Sequence, residues 1–167
     1  ISGFTNDGNK IPEQTIPQYY DKLGFSYNKF ADSITVSETE WDFERYKPDI
    51  IVINLGTNDM NYATTDERKA EFEDGYLDFL KKVRSLNPDS YIFQTYGVMG
   101  TSLEENIENV RRKYMSKTGD ERITFIPLTM QDEDADGIVA DWHPSPRTHS
   151  LVSQKVTAAI KKTLGYK

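Results

Sequence analysis

From Asp49 onward the chain alternates between β-branched apolar runs and apolar residues at helical spacing. Asp49-Ile-Ile-Val-Ile-Asn-Leu-Gly56 is apolar with polar ends, which predicts a strand buried on both faces. Thr65 or Asp66 can cap a helix, and Phe72, Tyr76, Phe79, Leu80 and Val83 follow at three- and four-residue steps until Asn87-Pro88-Asp89 ends it. Residues 91–96 predict a second buried strand. Leu103, Ile107, Val110 and Tyr114 predict a second helix capped by Ser102, and residues 121–128 a third strand. Leu151, Val152, Val156, Ala159, Ile160 and Leu164 mark a last amphipathic helix. Before residue 49 the chain is punctuated by Gly3, Gly8, Pro12, Pro17 and Gly24. Only a short helix over residues 14–22 and a helical turn over residues 41–46, stopped by Pro48, are expected there.

Strand, helix, strand, helix, strand, helix predicts an α/β domain: a parallel sheet with helices on both faces and ligands at the carboxyl ends of the strands. At 167 residues there is room for one such domain. Lys and Arg number 20 against 27 Asp and Glu, a formal charge of −7, which argues against a phosphate-tracking surface and so against nucleic acid as partner. No apolar run approaches the roughly 20 residues of a membrane span, so no membrane partner is expected. Cysteine is absent, which excludes a thiol nucleophile, a disulfide and a Cys-containing zinc site.

Two segments carry candidate chemistry. Asn54-Leu-Gly-Thr-Asn-Asp59 leaves the end of the first strand, where it is either an Asx-type turn or a loop that points the Asn58 amide into a site. Asp141-Trp-His-Pro-Ser145 precedes the last helix, and Pro146 suits the first turn of that helix. His143 therefore lies on the entering loop as a candidate base. The other histidine, His149, falls inside the last helix and reads as structural.

Together these segments resemble the third and fifth blocks of the SGNH (GDSL-type) hydrolases. Trp41-Asp-Phe, followed by Arg45-Tyr46, Pro48 and the strand into Asn58-Asp59, is similar to the catalytic domain of carbohydrate esterase family 2, whose members are acetyl esterases of plant polysaccharides. The resemblance implies a three-layer, flavodoxin-like α/β/α fold, an acetylated carbohydrate substrate, no cofactor and no metal, and a secreted or cell-surface setting. It also implies that His143 is the base of a serine nucleophile and that Asn58 is a donor to the oxyanion. The rival activities it leaves are those of a GDSL lipase or thioesterase, or a carbohydrate-binding remnant without catalysis.

The sequence departs from that pattern in two places. The Gly-Asp-Ser block that carries the nucleophile is not found. Ser33, in Ala31-Asp-Ser-Ile-Thr35, follows no buried strand and is rejected, and Ser2-Gly3 could be only a remnant of the second block. Residues 1–167 are thus expected to form one esterase domain lacking its first strand and its nucleophile, with an additional N-terminal domain in the full-length protein. Secondly, the family often has an acid three residues before the histidine, where this chain has Ala140. Asp141 stands two before. In an extended segment Asp141 and His143 would share a face; otherwise a backbone carbonyl must orient the ring, and dyad and triad both stay open. The run Asp132-Glu-Asp-Ala-Asp136 invites a calcium reading but lacks the distal Glu, so it is read as a solvated loop. Trp41, Tyr62, Tyr96 and Trp142 are candidates to floor a sugar site, with Trp142 the one expected to pack inward.

Overall fold

The computed structural model describes residues 15–24 and 34–166. Ser2, Gly3, Gln14 and Ser33 lie outside them. The elements run α1 (Ile16–Tyr19), β1 (Ile50–Asn54), α2 (Asp66–Leu86), β2 (Tyr91–Val98), α3 (Glu104–Thr118), β3 (Ile123–Met130), α4 (Glu133–Asp136) and α5 (Pro146–Leu164). Single 3₁₀ turns stand at Asp59–Asn61 and Ala140–Trp142. The three strands form a parallel sheet in the order β1-β2-β3, with Ile50 opposite Tyr91 and Ile92 opposite Ile123.

The apolar stripes decide the layering. Phe72, Tyr76, Phe79, Leu80 and Val83 of α2, with Ile107, Val110 and Tyr114 of α3, bury one sheet face through Ile53, Ile92, Tyr96 and Ile123. On the other face, Val152, Val156, Ala159, Ile160 and Leu164 of α5 pack on Phe93, Ile126 and Leu128. The expected α/β/α layering is therefore present. Thr65 caps α2, its hydroxyl accepting from the Arg68 N–H at 3.4 Å, and Ser145 caps α5, accepting from the Thr148 N–H at 3.2 Å.

Three expectations are corrected. Among the described residues β1 is not buried evenly on both faces: Ile53 is buried on the α2–α3 face, while on the opposite face Ile50 packs partly buried and Val52 is 47% exposed. A helix is about 10 Å across and strands lie about 4.8 Å apart, so α5, seated on β2 and β3, reaches the start of β1 at Ile50 and leaves Val52 without its cover. The N-cap of α3 is Leu103, not Ser102. The α3 stripe draws Leu103 fully into the core and so sets where the helix begins. Residues 41–46 make a single turn, with the Arg45 N–H bonded to the Asp42 carbonyl at 3.1 Å, and no helix.

β2 carries an irregularity that matters later. Between Tyr96 and Val98 its pairing with β3 shifts, and Gly97 sits at φ +151°. A Cβ there would lie 2.3 Å from the Leu128 carbonyl oxygen, so only glycine fits. The bulge turns the Val98 carbonyl toward the chain leaving β3, where it accepts from the Gln131 N–H at 2.8 Å.

At the amino edge of the sheet the Arg84 guanidinium gathers the connections. It donates to the carbonyls of Asn87 (3.1 Å), Ser90 (2.6 Å) and Arg122 (3.1 Å) and forms an ion pair with Asp120 at 2.7 Å. Tyr114 adds its hydroxyl to Asp120 at 3.0 Å. Both turns leading into β2 and β3 are thereby fixed by one side chain.

Candidate active site

The two candidate segments leave the same, carboxyl edge of the sheet. Beyond β1, Gly56 takes φ +125°, a conformation that turns the chain back over the sheet and places it against the Tyr96 ring. Its carbonyl accepts from the Met60 N–H at 3.0 Å, and the Asp59 carbonyl accepts from Ala63 at 2.8 Å. Asp59 is fully buried and anchors the loop, while its neighbour Asn58 is exposed. Asn58 occupies the N-cap position of the 3₁₀ turn without using its side chain as a cap. Among the described residues its side chain makes no capping bond of the Asx type.

His143 sits on the loop between α4 and α5. The base of that loop is closed by a bridge between Ile138 and Pro144 and by the Val139 N–H donating to the His143 carbonyl at 2.9 Å. Its tip is unusual, because Asp141 (φ +54°) and Trp142 (φ +61°) are both left-handed, a conformation that costs non-glycine residues about 1–2 kcal/mol each. The bend brings the Ala140 carbonyl to 3.1 Å from His143 Nδ1. A carbonyl can only accept, so Nδ1 is the donor in this contact, and the neutral ring that makes it has its lone pair on Nε2. The ring is exposed. An imidazole held in this tautomer on the open edge of the sheet is equipped to take a proton.

The Asp141 side chain makes no hydrogen bond or ion pair among the described residues, since the left-handed bend has replaced the extended geometry that would align it with His143. His149 is an exposed residue of α5.

Sequence reasoning missed what holds this loop. Asp132 caps α4 by accepting from the backbone of Asp134 (3.1 Å) and Ala135 (3.0 Å). Glu133 accepts from the Trp142 indole N–H. The Asp136 carbonyl accepts from Ser145 Oγ at 2.6 Å, and its carboxylate pairs with Arg147 at 2.7 Å. The acidic run is therefore a brace for the histidine loop as well as a solvated surface. Its closeness in sequence to Asp141-Trp-His143 was the available signal.

The aromatic candidates divide. Tyr96 is fully buried, its hydroxyl pKa raised by desolvation, and it cannot floor a sugar site. Arg68 lies over the Tyr62 ring at 4.7 Å and occupies that face. The Trp41 N–H donates to the Asp21 carbonyl, and Asp21 pairs with Lys82 near the end of α2, toward the amino edge of the sheet. Trp142 is half-buried and stands next to His143.

Comparison with known proteins defines the class. The sequence model of the GDSL-like Lipase/Acylhydrolase family matches residues 9–151, and the chain belongs to that family. Within it, the chain is 34% identical over 148 residues to the cellulase/esterase CelE of Acetivibrio thermocellus, a match covering 83% of this chain and 17% of that protein. It superposes on an acetyl xylan esterase from the rumen bacterium Butyrivibrio proteoclasticus with a TM-score of 0.84 and 25% identity, over 98% of this chain and 50% of that one. A family two carbohydrate esterase from Clostridium thermocellum, solved in complex with cellohexaose, gives a TM-score of 0.78 and 32% identity over 99% of this chain and 49% of that one. The resemblance to carbohydrate esterase family 2 thus extends through the fold, and the chain spans about half the length of these solved structures.

Proposed function

We propose that the native protein is a serine esterase that removes acetyl groups from plant-type polysaccharides or their oligosaccharides. The observation that carries this is the His143 ring, exposed and with its Nδ1 3.1 Å from the Ala140 carbonyl, on a loop that leaves the same carboxyl edge of the sheet as the segment of the exposed Asn58. In this reading a serine hydroxyl attacks the acetyl carbonyl while Nε2 takes its proton. Asn58 then donates to the tetrahedral oxygen. The protonated His143 returns the proton to the departing sugar hydroxyl, and water hydrolyses the acyl-enzyme by the same steps. The serine of that mechanism belongs to the Gly-Asp-Ser block, which residues 1–167 do not contain. The reading therefore assigns it, and an additional N-terminal domain, to the native protein outside these residues, and the greater length of the relatives supports this. An extracellular or cell-surface setting follows from a polymeric plant substrate.

The Ala140 carbonyl favours a dyad over a triad, because it supplies the orienting bond that an acid would otherwise make. The test is release of acetate from acetylated xylan and from 4-nitrophenyl acetate by the native protein. His143→Ala should lower kcat/KM on the order of 10⁴-fold or more. Undiminished turnover in that variant would refute the mechanism.

A further inference from the structure

Gln131, the first residue after β3, is 8% exposed and cannot reach a polymeric substrate. Its side chain nevertheless makes one directed contact: Nε2 donates to the Trp142 carbonyl at 2.9 Å. That carbonyl belongs to the peptide joining Trp142 to His143, so the contact fixes the peptide plane on which the histidine is mounted. Gln131 is itself held through its backbone N–H on Val98, at the bulge that Gly97 permits. Glu133 grips the same residue from its other end by accepting the indole N–H. Trp142 is thus held at two points, main chain and side chain, in a left-handed conformation that a bulky residue would leave if released. Relaxing it to negative φ would rotate the 140–143 turn and withdraw the Ala140 carbonyl from Nδ1.

Resting on the esterase reading of His143, we propose that Gln131 and Glu133 are positioning residues. They hold the left-handed Asp141–Trp142 bend and thereby the Nδ1–H tautomer of the base. The strain of the bend is offset by these two hydrogen bonds and by the Ser145 and Arg147 contacts to Asp136 that tie down the following residues.

The proposal is tested in the native protein labelled with ¹⁵N-histidine, the His143 signals being assigned by their loss in His143→Ala and His149 serving as internal control. Wild type should show His143 protonated at Nδ1. Gln131→Met, which keeps the side-chain length and removes the donor, should shift His143 toward a mixture of tautomers without moving His149. On 4-nitrophenyl acetate it should lower kcat by about tenfold or more with KM within about twofold, as expected for a misplaced base. Glu133→Ala should act in the same direction, and Glu133→Gln, which keeps an acceptor for the indole, should recover most of that loss. An unchanged His143 tautomer in both Gln131→Met and Glu133→Ala would overturn the proposal, as would a fall in kcat with unmoved ring signals. Glu133 is exposed, so its variants decide the matter should Gln131→Met fail to fold. If wild type hydrolyses no acetyl ester, the esterase reading fails, while the ring signals still report whether the two residues position His143.

Discussion

Two neighbouring side chains, Asn58 and Asp59, differ sharply in burial. Asp59 is buried under the loop and Asn58 points out from it, so their substitutions should separate stability from turnover. Asn58→Ala removes a donor without opening a cavity. If the amide meets the oxyanion, kcat should fall by about 10²–10³-fold with little change in thermal stability, the range seen when one such donor is lost. Asp141→Asn is the complementary case. With the ring oriented by the Ala140 carbonyl, kcat/KM should fall by less than about tenfold, against the 10⁴-fold loss typical of an orienting acid. Steady-state kinetics of the two variants beside His143→Ala distinguish these roles.

Among the elements, the strands and long helices were legible in the sequence because each is dictated by its own apolar period. The stripes of α2 and α3 name residues that the packing buries; that of α5 names residues half-buried on the sheet, except Leu151, which is 49% exposed. The exceptions are positions where tertiary contacts overrule the local signal. Ser102 is a good capping residue, but Leu103 must enter the core and takes the cap position. Val52 sits in a run that reads as buried on both sides, yet its cover depends on which strands α5 can reach. His143 and Asn58 were singled out by the family resemblance of their two segments, since residue type and position alone left a plain turn and a surface histidine open. The brace from Gln131 and Glu133 was not legible, since a positive φ at Asp141 and Trp142 leaves no trace in residues that rarely adopt it. Gly97 is the element-scale test of that architecture. Gly97→Ala must push Leu128 aside and holds φ +151°, so it should cost about 3 kcal/mol or more, read as a lowered urea midpoint. It should also weaken the hold on Gln131, lowering kcat beyond what the lost folded fraction explains.

Across the whole molecule, acid stability should be set by carboxylates far from the site. Burial alone would raise the Asp120 carboxyl. The Arg122 backbone N–H, the Tyr114 hydroxyl and the charges of Arg84 and Arg122 outweigh it, and the pKa lies below the ordinary carboxylate value. Glu73 is likewise lowered, with hydrogen bonds from Lys113, Asn106 and Asn109 overcoming burial, and Glu108 is lowered by its bond to Arg111. A carboxyl depressed in the folded state binds fewer protons there than in the unfolded chain. Its stabilisation is therefore present at neutral pH and disappears as pH falls from about 4 through the folded value. Urea unfolding at pH 7, 5, 4 and 3 should show stability dropping over that window. Asp120→Asn should be less stable than wild type at pH 7, and the gap should narrow toward pH 3. A constant gap would mean that the carboxylate's charge contributes nothing.

The Arg84–Asp120 assembly and the histidine loop occupy opposite rims of one sheet, and this separation has an evolutionary consequence. Sites with no shared partners respond to mutation almost independently. A lineage can therefore revise the loops around His143 and Asn58 while the far rim continues to keep the protein folded. On the proposed function, selection for substrate and selection for persistence act on different ends of the same strands, which leaves such a scaffold free to change its diet without first losing its shape.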